Sequence, residues 1–171
     1  MNTVHIRRRE HSKCWQQSGV YAIEFALVFP VFFLLAYGVL AFALVFFMRL
    51  NLQHATEEGA RAALQYQTTQ SARLQRAVTV TQSQTSWMPV LPVVVADICP
   101  INSGCQPTST PGAPAIACGD TMSEACQIVV VANYDYAANP LIPELLGLGL
   151  LLPNTLRAVA AVLVDGRTLK P

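Results

Sequence analysis

One long uncharged run constrains this sequence more than any other feature. No charged side chain interrupts the residues from Phe25 to Met48. As a helix at ~1.5 Å per residue, this run measures roughly 36 Å, and the hydrocarbon core of a bilayer is about 30 Å thick. The composition agrees, because 53% hydrophobic and only 12% charged residues is a balance skewed toward membrane proteins. We therefore predict a single transmembrane helix over residues 20–48.

The charges on either side of the run predict its orientation. Residues 1–19 contain one acid, Glu10, and a cluster of cations made of Arg7, Arg8, Arg9 and Lys13. Only one cation, Arg49, directly follows the run. By the positive-inside rule, residues 1–19 form a basic cytoplasmic leader and everything after Arg49 lies outside the membrane. The formal net charge of +1 gives no general attraction to nucleic acid.

The cysteines agree with this orientation. Of the 5 cysteines, Cys14 falls on the predicted inner side, and the others, Cys99, Cys105, Cys118 and Cys126, fall on the outer side. An even set in an oxidising compartment indicates disulfides. Zinc is the weaker interpretation, because no C-x-x-C spacing occurs and His54 is the only further soft ligand outside. Three pairings are possible in principle, and we favour Cys99–Cys105 with Cys118–Cys126.

An acid at the start of the apolar run needs an explanation. Glu24 is the fifth residue after Gly19. A glutamate near the end of a span can snorkel to the headgroups, which explains why it is tolerated but not its distance from the glycine. If a protease cut after Gly19, Val20 would carry a new α-ammonium one helical turn from the Glu24 carboxylate. The carboxylate would pair with that ammonium or with the one of a neighbouring subunit, and each charge would offset the burial of the other.

These residues resemble a known processing site. A basic leader, a glycine and a glutamate at the fifth following position are similar to the prepilin-peptidase site of type IV pilin-like proteins. More narrowly, the sequence resembles the TadE-like pseudopilins of the Flp (tad) pilus assembly system through the string Gly19-Val20-Tyr21-Ala22-Ile23-Glu24-Phe25-Ala26-Leu27-Val28-Phe29-Pro30. A second block resembles the segment ending in G-A-R that follows the span in that family, and it reads Ala55-Thr56-Glu57-Glu58-Gly59-Ala60-Arg61. Together the two blocks cover residues 15–66, and the remainder matches only loosely.

The resemblance implies a function and a set of partners. It implies a minor pilin or pseudopilin that prepilin peptidase cuts between Gly19 and Val20, and that starts or supports Flp pilus assembly at the bacterial inner membrane. Its implied partners are the major Flp pilin, a partner pseudopilin, the inner-membrane assembly platform and membrane lipid. Glu24, Phe25 and Pro30 would serve assembly, since a proline is common at this point in the family and would shape subunit packing. The C-terminal domain would be periplasmic, and the protein would remain at the base of the pilus or enter it.

The helix is predicted to continue outside the membrane over residues 49–77. Small and apolar side chains recur there at helical spacing and form a narrow stripe, which consists of Leu52, Ala55, Gly59, Ala62, Ala63 and Tyr66. Glu57 stands four residues before Arg61, as in an i,i+4 ion pair. Gly59 costs about 1 kcal/mol relative to alanine in an isolated helix, so the motif Gly59-Ala60-Arg61 favours close approach of another backbone. Packing on the chain's own sheet and packing against another subunit both fit.

Beyond this helix the pattern indicates strands. Alternating or β-branched segments predict four of them, at Val78–Thr81, Val93–Val95, Ile128–Tyr136 and Leu156–Val164. The Pro- and Ser-rich segment from Cys99 to Cys126 predicts an irregular loop that disulfides hold. The block Leu141–Leu152 is too short to span a membrane and is expected to cover the core or lie on the membrane surface. The predicted fold class is α+β, a long N-terminal helix followed by a small antiparallel β-rich domain over residues 78–171 with a disulfide-stapled loop.

The sequence lacks the usual motifs of catalysis. His5 and His11 lie in the leader, and the outer region has no nucleophile elbow, metal-binding helix motif or phosphate loop. We therefore expect no enzymatic activity, no cofactor and no metal. Two other classes of protein remain open. One is an uncleaved, single-pass, membrane-anchored periplasmic binding or sensor protein. The other is a secreted protein cut after Ala43, for which the apolar run is too long.

Overall fold

The computed structural model describes residues 18–101, 107, 118–119, 125–142 and 152–164. The chain divides into two compact units, Met1–Val39 and Leu40–Pro171. In the first unit, all described residues belong to the N-terminal part of one helix, α1. The described residues of the second unit form the rest of α1, a second helix and a three-stranded antiparallel sheet. The predicted α+β class, with a long N-terminal helix ahead of a small antiparallel sheet, is confirmed.

Helix α1 extends over Ser18–Ala62 and includes Pro30. It is the one helix among the described residues that is long and apolar enough to cross a membrane. Every side chain from Tyr21 to Leu35 is exposed, whereas a core helix of a soluble protein would bury its apolar side chains. Helix α1 therefore fits a single-pass membrane anchor.

The end of α1 differs from the prediction. A second helix, α2, occupies Gln70–Gln84 after a short turn. The continuous helix predicted through Ala77 is therefore wrong, and so is the strand predicted at Val78–Thr81, because these residues lie inside α2. The domain boundary that we placed between residues 77 and 78 also falls within α2.

Capping and burial explain why α2 forms where β-branched residues predict a strand. Thr69 is the N-cap, with extended backbone, and its Oγ1 accepts a hydrogen bond from the Ala72 amide at 3.1 Å. Ala77 and Thr81, four residues apart, are fully buried on one face of the helix. The strand preference of an alternating segment is worth only about 1 kcal/mol, and the burial of this face outweighs it.

The sheet is a meander, in which the three strands lie side by side in the order that they have in the chain. Strand β1 (Val93–Pro100) pairs with β2 (Cys126–Asp135), and β2 pairs with β3 (Thr155–Val164), both in antiparallel orientation. The three predicted strands after Val93 are thus confirmed, and β1 extends further than predicted. In the register, Ile98 lies opposite Ile128, which lies opposite Val162. These residues share the face that packs on the helices.

Two hydrophobic clusters hold α1 and α2 against this face. The Met48 cluster consists of Val45, Met48, Leu52, Met88, Ala132, Tyr134, Tyr136, Leu156 and Ala158. The Ile128 cluster consists of Ala60, Ala63, Ala77, Ile98, Cys126, Ile128, Val130, Ala160 and Val164. Earlier residues of α1 thus pack on the start of β3 and later ones on its end, so α1 and β3 advance in the same direction. Met88, in the loop that follows α2, and the end of β2 also contribute to the Met48 cluster.

Candidate functional site

The first part of the candidate site is the exposed apolar surface of α1 in the first unit. Phe25, one of the predicted assembly residues, begins a row of aromatic rings that continues through Phe29, Phe33 and Tyr37. Successive ring centroids lie 5.3, 6.1 and 6.3 Å apart, within the range of stacked aromatic pairs. Residues four apart share one side of a helix, so the row is a continuous aromatic stripe.

Glu24 lies directly before this stripe and is also exposed. Within the part of the chain that the structure describes, its carboxylate has no hydrogen-bond or ion-pair partner. Gly19 and Val20, the predicted processing site, are in the first turn of α1. Val20 therefore lies one helical turn before Glu24, the separation at which a new α-ammonium and the carboxylate can meet.

Pro30 lies between Glu24 and the end of the aromatic stripe. Proline has no amide hydrogen, so the carbonyl of Ala26 receives no backbone bond from position 30. Membrane helices tolerate this where neighbouring helices or side chains satisfy the carbonyl. A polar carbonyl on an otherwise apolar face can thus help to orient a neighbouring helix.

The three residues of the motif Gly59-Ala60-Arg61 have different surroundings. Gly59 faces α2, because a Cβ built on it would overlap Thr81 Oγ1 and lie 2.8 Å from the Ala77 carbonyl oxygen. Ala60 is buried against the sheet in the Ile128 cluster. Arg61 is exposed. The sequence leaves open the chain's own sheet and another subunit as packing partners, whereas in the structure Gly59 packs on the chain's own second helix.

Arg61 pairs with a different acid from the one predicted. Its Nη1 lies 3.2 Å from Glu58 Oε1, one turn earlier, and the predicted pair with Glu57 is wrong. Glu57 instead accepts a hydrogen bond at 3.1 Å from Gln53 Nε2. The Glu58–Arg61 pair is solvent-exposed, so its contribution to stability is small.

Glu57 and Arg61 also line an open groove of about 360 Å³ between α1 and the edge of β3. Gln53 Nε2 reaches across this groove and donates to the Val159 carbonyl oxygen at 3.1 Å. Among the described strands, β3 lies at an edge of the sheet, and edge carbonyls are open to pairing with another chain. Gln53 therefore occupies a carbonyl of β3 that would otherwise be available for pairing with another chain.

The disulfide prediction is confirmed for one pair. Cys118 and Cys126 are bonded, with their Cα atoms 5.6 Å apart. Cys126 is fully buried at the start of β2 and belongs to the Ile128 cluster, so the bond ties the preceding loop to the core. Cys99 is also disulfide-bonded, while its predicted partner Cys105 lies outside the described residues. Most of the block Leu141–Leu152 also lies outside them.

Two residues that hold the site together have little signal in the sequence. Arg73 is 3% exposed, and its Nη1 donates to the Ala63 carbonyl oxygen at 2.9 Å, so it helps to close the end of α1. Trp87, in the loop after α2, packs on Phe47 with ring centroids 5.8 Å apart. The N-cap Thr69 has a recognisable signal, because a threonine directly before a helical segment is typical of a helix start.

Titration behaviour and metal binding add little to the site. Burial, reinforced by the charge of Asp135, raises the pKa of Tyr134 above its ordinary value of 10.0. The Tyr134 hydroxyl donates to the Asn139 carbonyl oxygen at 2.9 Å, so the neutral phenol has a structural role. Over the described ranges, no group of three or more His, Cys, Asp or Glu side chains is placed to hold a metal ion.

Comparison with known proteins supports the resemblance stated above. Residues 19–61 match the family model described as TadE-like protein. The match begins at Gly19, the predicted processing residue, and ends at Arg61, the last residue of the helix-packing motif. A search of curated proteins and a search of solved structures each gave no match.

Proposed function

We propose that the protein is a minor pilin or pseudopilin that supports Flp (tad) pilus assembly at the bacterial inner membrane, because residues 19–61 match the family model described as TadE-like protein. The observation that carries the proposal is the extent of the match. It spans the predicted processing site, the apolar helix and the Gly59-Ala60-Arg61 motif, and these are the parts with a pilin-like arrangement. The proposal gives the chain no catalytic role.

The proposed topology has the leader in the cytoplasm and the sheet domain in the periplasm. The arginine cluster before α1 supports this orientation. The Cys118–Cys126 disulfide supports it independently, because structural disulfides persist in oxidising compartments such as the periplasm.

Prepilin peptidase is the proposed processing enzyme, and the bond after Gly19 is its proposed target. That bond lies in the first turn of α1, where helices fray easily, so local opening would present an extended chain to the protease. After the cut, the ammonium of Val20 would offset the otherwise unpartnered carboxylate of Glu24 within the membrane. The pairing would hold either within one chain or between neighbours, and the second arrangement fixes the register of adjacent helices.

Lateral packing of α1 with the major Flp pilin and a partner pseudopilin is the proposed mechanism of assembly. The surface from Tyr21 to Leu35 is apolar and exposed, and the Phe25–Tyr37 stripe gives it a defined side. Rigid aromatic side chains bury a large area with little loss of conformational freedom. Helix association within lipid depends on such packing, because lipid tails are as apolar as the side chains.

Intact mass and N-terminal sequencing of the protein, extracted from the membranes of its native host, test the proposal. We expect a mature N-terminus at Val20. A start at Met1 would favour the uncleaved binding or sensor protein, and a start at Leu44 would favour a secreted protein. Either start contradicts the pilin assignment.

The role of Glu24 has a separate test. Glu24→Gln keeps the size of the side chain and removes its charge, and Glu57→Gln is a matched control on the same helix outside the span. We expect both variants to insert into the membrane, and only Glu24→Gln to lose co-purification with the pilin partners. Equal recovery of partners with the two variants would argue against a register role for Glu24.

A further inference from the structure

We propose that the loop between α2 and β1, residues 85–92, is a second membrane contact, in which Trp87, Val90 and Leu91 enter the lipid headgroup region beside the outer end of the span. The inference rests on the membrane anchor included in the proposed function. It does not depend on pilus assembly or on processing at Gly19.

The depth of the loop follows from its contact with α1. Phe47 is the last residue but one of the uncharged run that ends at Met48, and the first cation after the run is Arg49. The Trp87 ring lies 5.8 Å from the Phe47 ring, centroid to centroid, with the two planes tilted by 51°. The indole is thus held at the level where the apolar run ends. Tryptophan is enriched at this level of membrane proteins, because its ring is apolar and its N–H is polar.

Buried and exposed side chains are interspersed along the loop, and several of the exposed ones are apolar. Met88 is 5% exposed in the Met48 cluster and Pro92 is also buried, whereas Trp87, Val90 and Leu91 are 45, 46 and 53% exposed. The buried residues therefore fix the loop to the domain and leave its other side chains free to contact lipid. Single exposed hydrophobic residues are common, but several of them within one short loop mark an interaction surface.

The surface continues from the loop onto α1. Leu50 is 53% exposed and follows Phe47 by three residues on α1, so the two lie on one side of the helix. No acid or base occurs between Arg76 and Asp97, which brackets the whole loop. Arg49 is exposed at the end of the span, where a guanidinium can bind lipid phosphate. An apolar patch at the level of a cation, and continuous with the apolar helix, fits a bilayer interface.

The contact would constrain the domain. A single helix anchors a domain at one point and leaves it free to rotate about the helix axis. A second contact at Trp87 would set which side of the second unit faces the membrane and which side is available to partners.

The two tryptophans of the chain make the test direct. They are Trp15, in the leader, and Trp87, so Trp15→Phe leaves Trp87 as the only indole in the full-length chain. The protein is reconstituted into phospholipid nanodiscs, and its fluorescence is measured with lipids brominated near the headgroup, with lipids brominated near the chain end, and with aqueous iodide. We expect strong quenching by the shallow bromine, weak quenching by the deep bromine, and protection from iodide.

A pair of matched variants separates the loop from the rest of the domain. Leu91→Asp should abolish quenching by the shallow lipid and shift the Trp87 emission to the red. Leu64→Asp changes a leucine of similar exposure, 45%, that follows the far end of α1, and it should leave both signals unchanged.

Each other outcome overturns the inference. Free quenching by iodide without lipid quenching would place the loop in water. Protection from iodide without lipid quenching would mean that protein covers it, either a second copy or a different chain. Incorporation into nanodiscs is measured first, because a chain that does not enter them contradicts the anchor as well. If the loop does not contact lipid, but the protein enters the nanodiscs and its mature N-terminus is Val20, the proposed function stands without this contact.

Discussion

The contact between Gly59 and α2 allows a prediction whose size follows from the structure. In Gly59→Ala, the new methyl group would lie 2.8 Å from the Ala77 carbonyl oxygen and would overlap Thr81 Oγ1. Thr81 cannot turn away freely, because it is fully buried and its hydroxyl donates to the Ala77 carbonyl oxygen at 2.9 Å. Relief therefore requires α2 to move or the Thr81 hydrogen bond to break.

Two opposing contributions decide whether Gly59→Ala raises or lowers the stability of the fold. Replacing glycine with alanine in a helix gains up to about 1 kcal/mol, and overpacking a close contact costs about 1–3 kcal/mol. Since one of the atoms in the contact belongs to the backbone of α2, we expect the upper part of that cost and a net loss of about 1–2 kcal/mol. For a chain of this size the loss corresponds to a fall in Tm of about 2–8 °C.

Gly38→Ala is the control within the same helix, since a Cβ at Gly38 would have nothing within 4 Å. The assay is thermal unfolding of the full chain in detergent micelles, followed by near-UV circular dichroism. We expect Gly38→Ala to keep or raise Tm, and Thr81→Ala to restore part of the loss in Gly59→Ala. If Gly59→Ala is as stable as Gly38→Ala, the close approach of α1 and α2 is not what requires glycine at this position.

Three further predictions concern the second unit. Arg73→Met should lower the free energy of unfolding by about 1.5–3 kcal/mol, because the Ala63 carbonyl loses a charged donor, and an unchanged urea midpoint would contradict this. Reduction of the Cys118–Cys126 disulfide, which closes a loop with a sequence separation of 8, should cost about 2.5 kcal/mol and lower Tm under dithiothreitol, whereas equal Tm values with and without the reductant would contradict it. The raised pKa of Tyr134 favours the neutral phenol in the folded state, so its stabilisation is complete below pH 10.0 and is lost as the pH rises through the folded-state pKa. Tyr134→Phe should flatten that alkaline loss of stability in pH-dependent denaturation, and an unaltered profile would argue against a role for this phenol.

Several features of this protein could be predicted from local sequence. The uncharged run that ends at Met48 identifies the membrane helix, because bilayer thickness sets a length that few soluble helices share. The later strands follow from β-branched segments. The pairing of Cys118 with Cys126 also agrees with proximity in sequence, although the alternative pairings could be separated only by the structure.

The tertiary structure alone decided how the second unit is packed. The alternation of Val78–Thr81 indicates a strand, yet the burial of Ala77 and Thr81 against α1 makes this segment a helix. The spacing of Glu57 and Arg61 permits an ion pair, yet Glu57 bonds to Gln53 beside the edge of β3. Such outcomes depend on contacts between residues far apart in the chain, and each is worth about as much as the local preference that it overrides. A local pattern therefore determines which segment is apolar or helical, whereas the choice among near-equal partners is made only when the elements pack together.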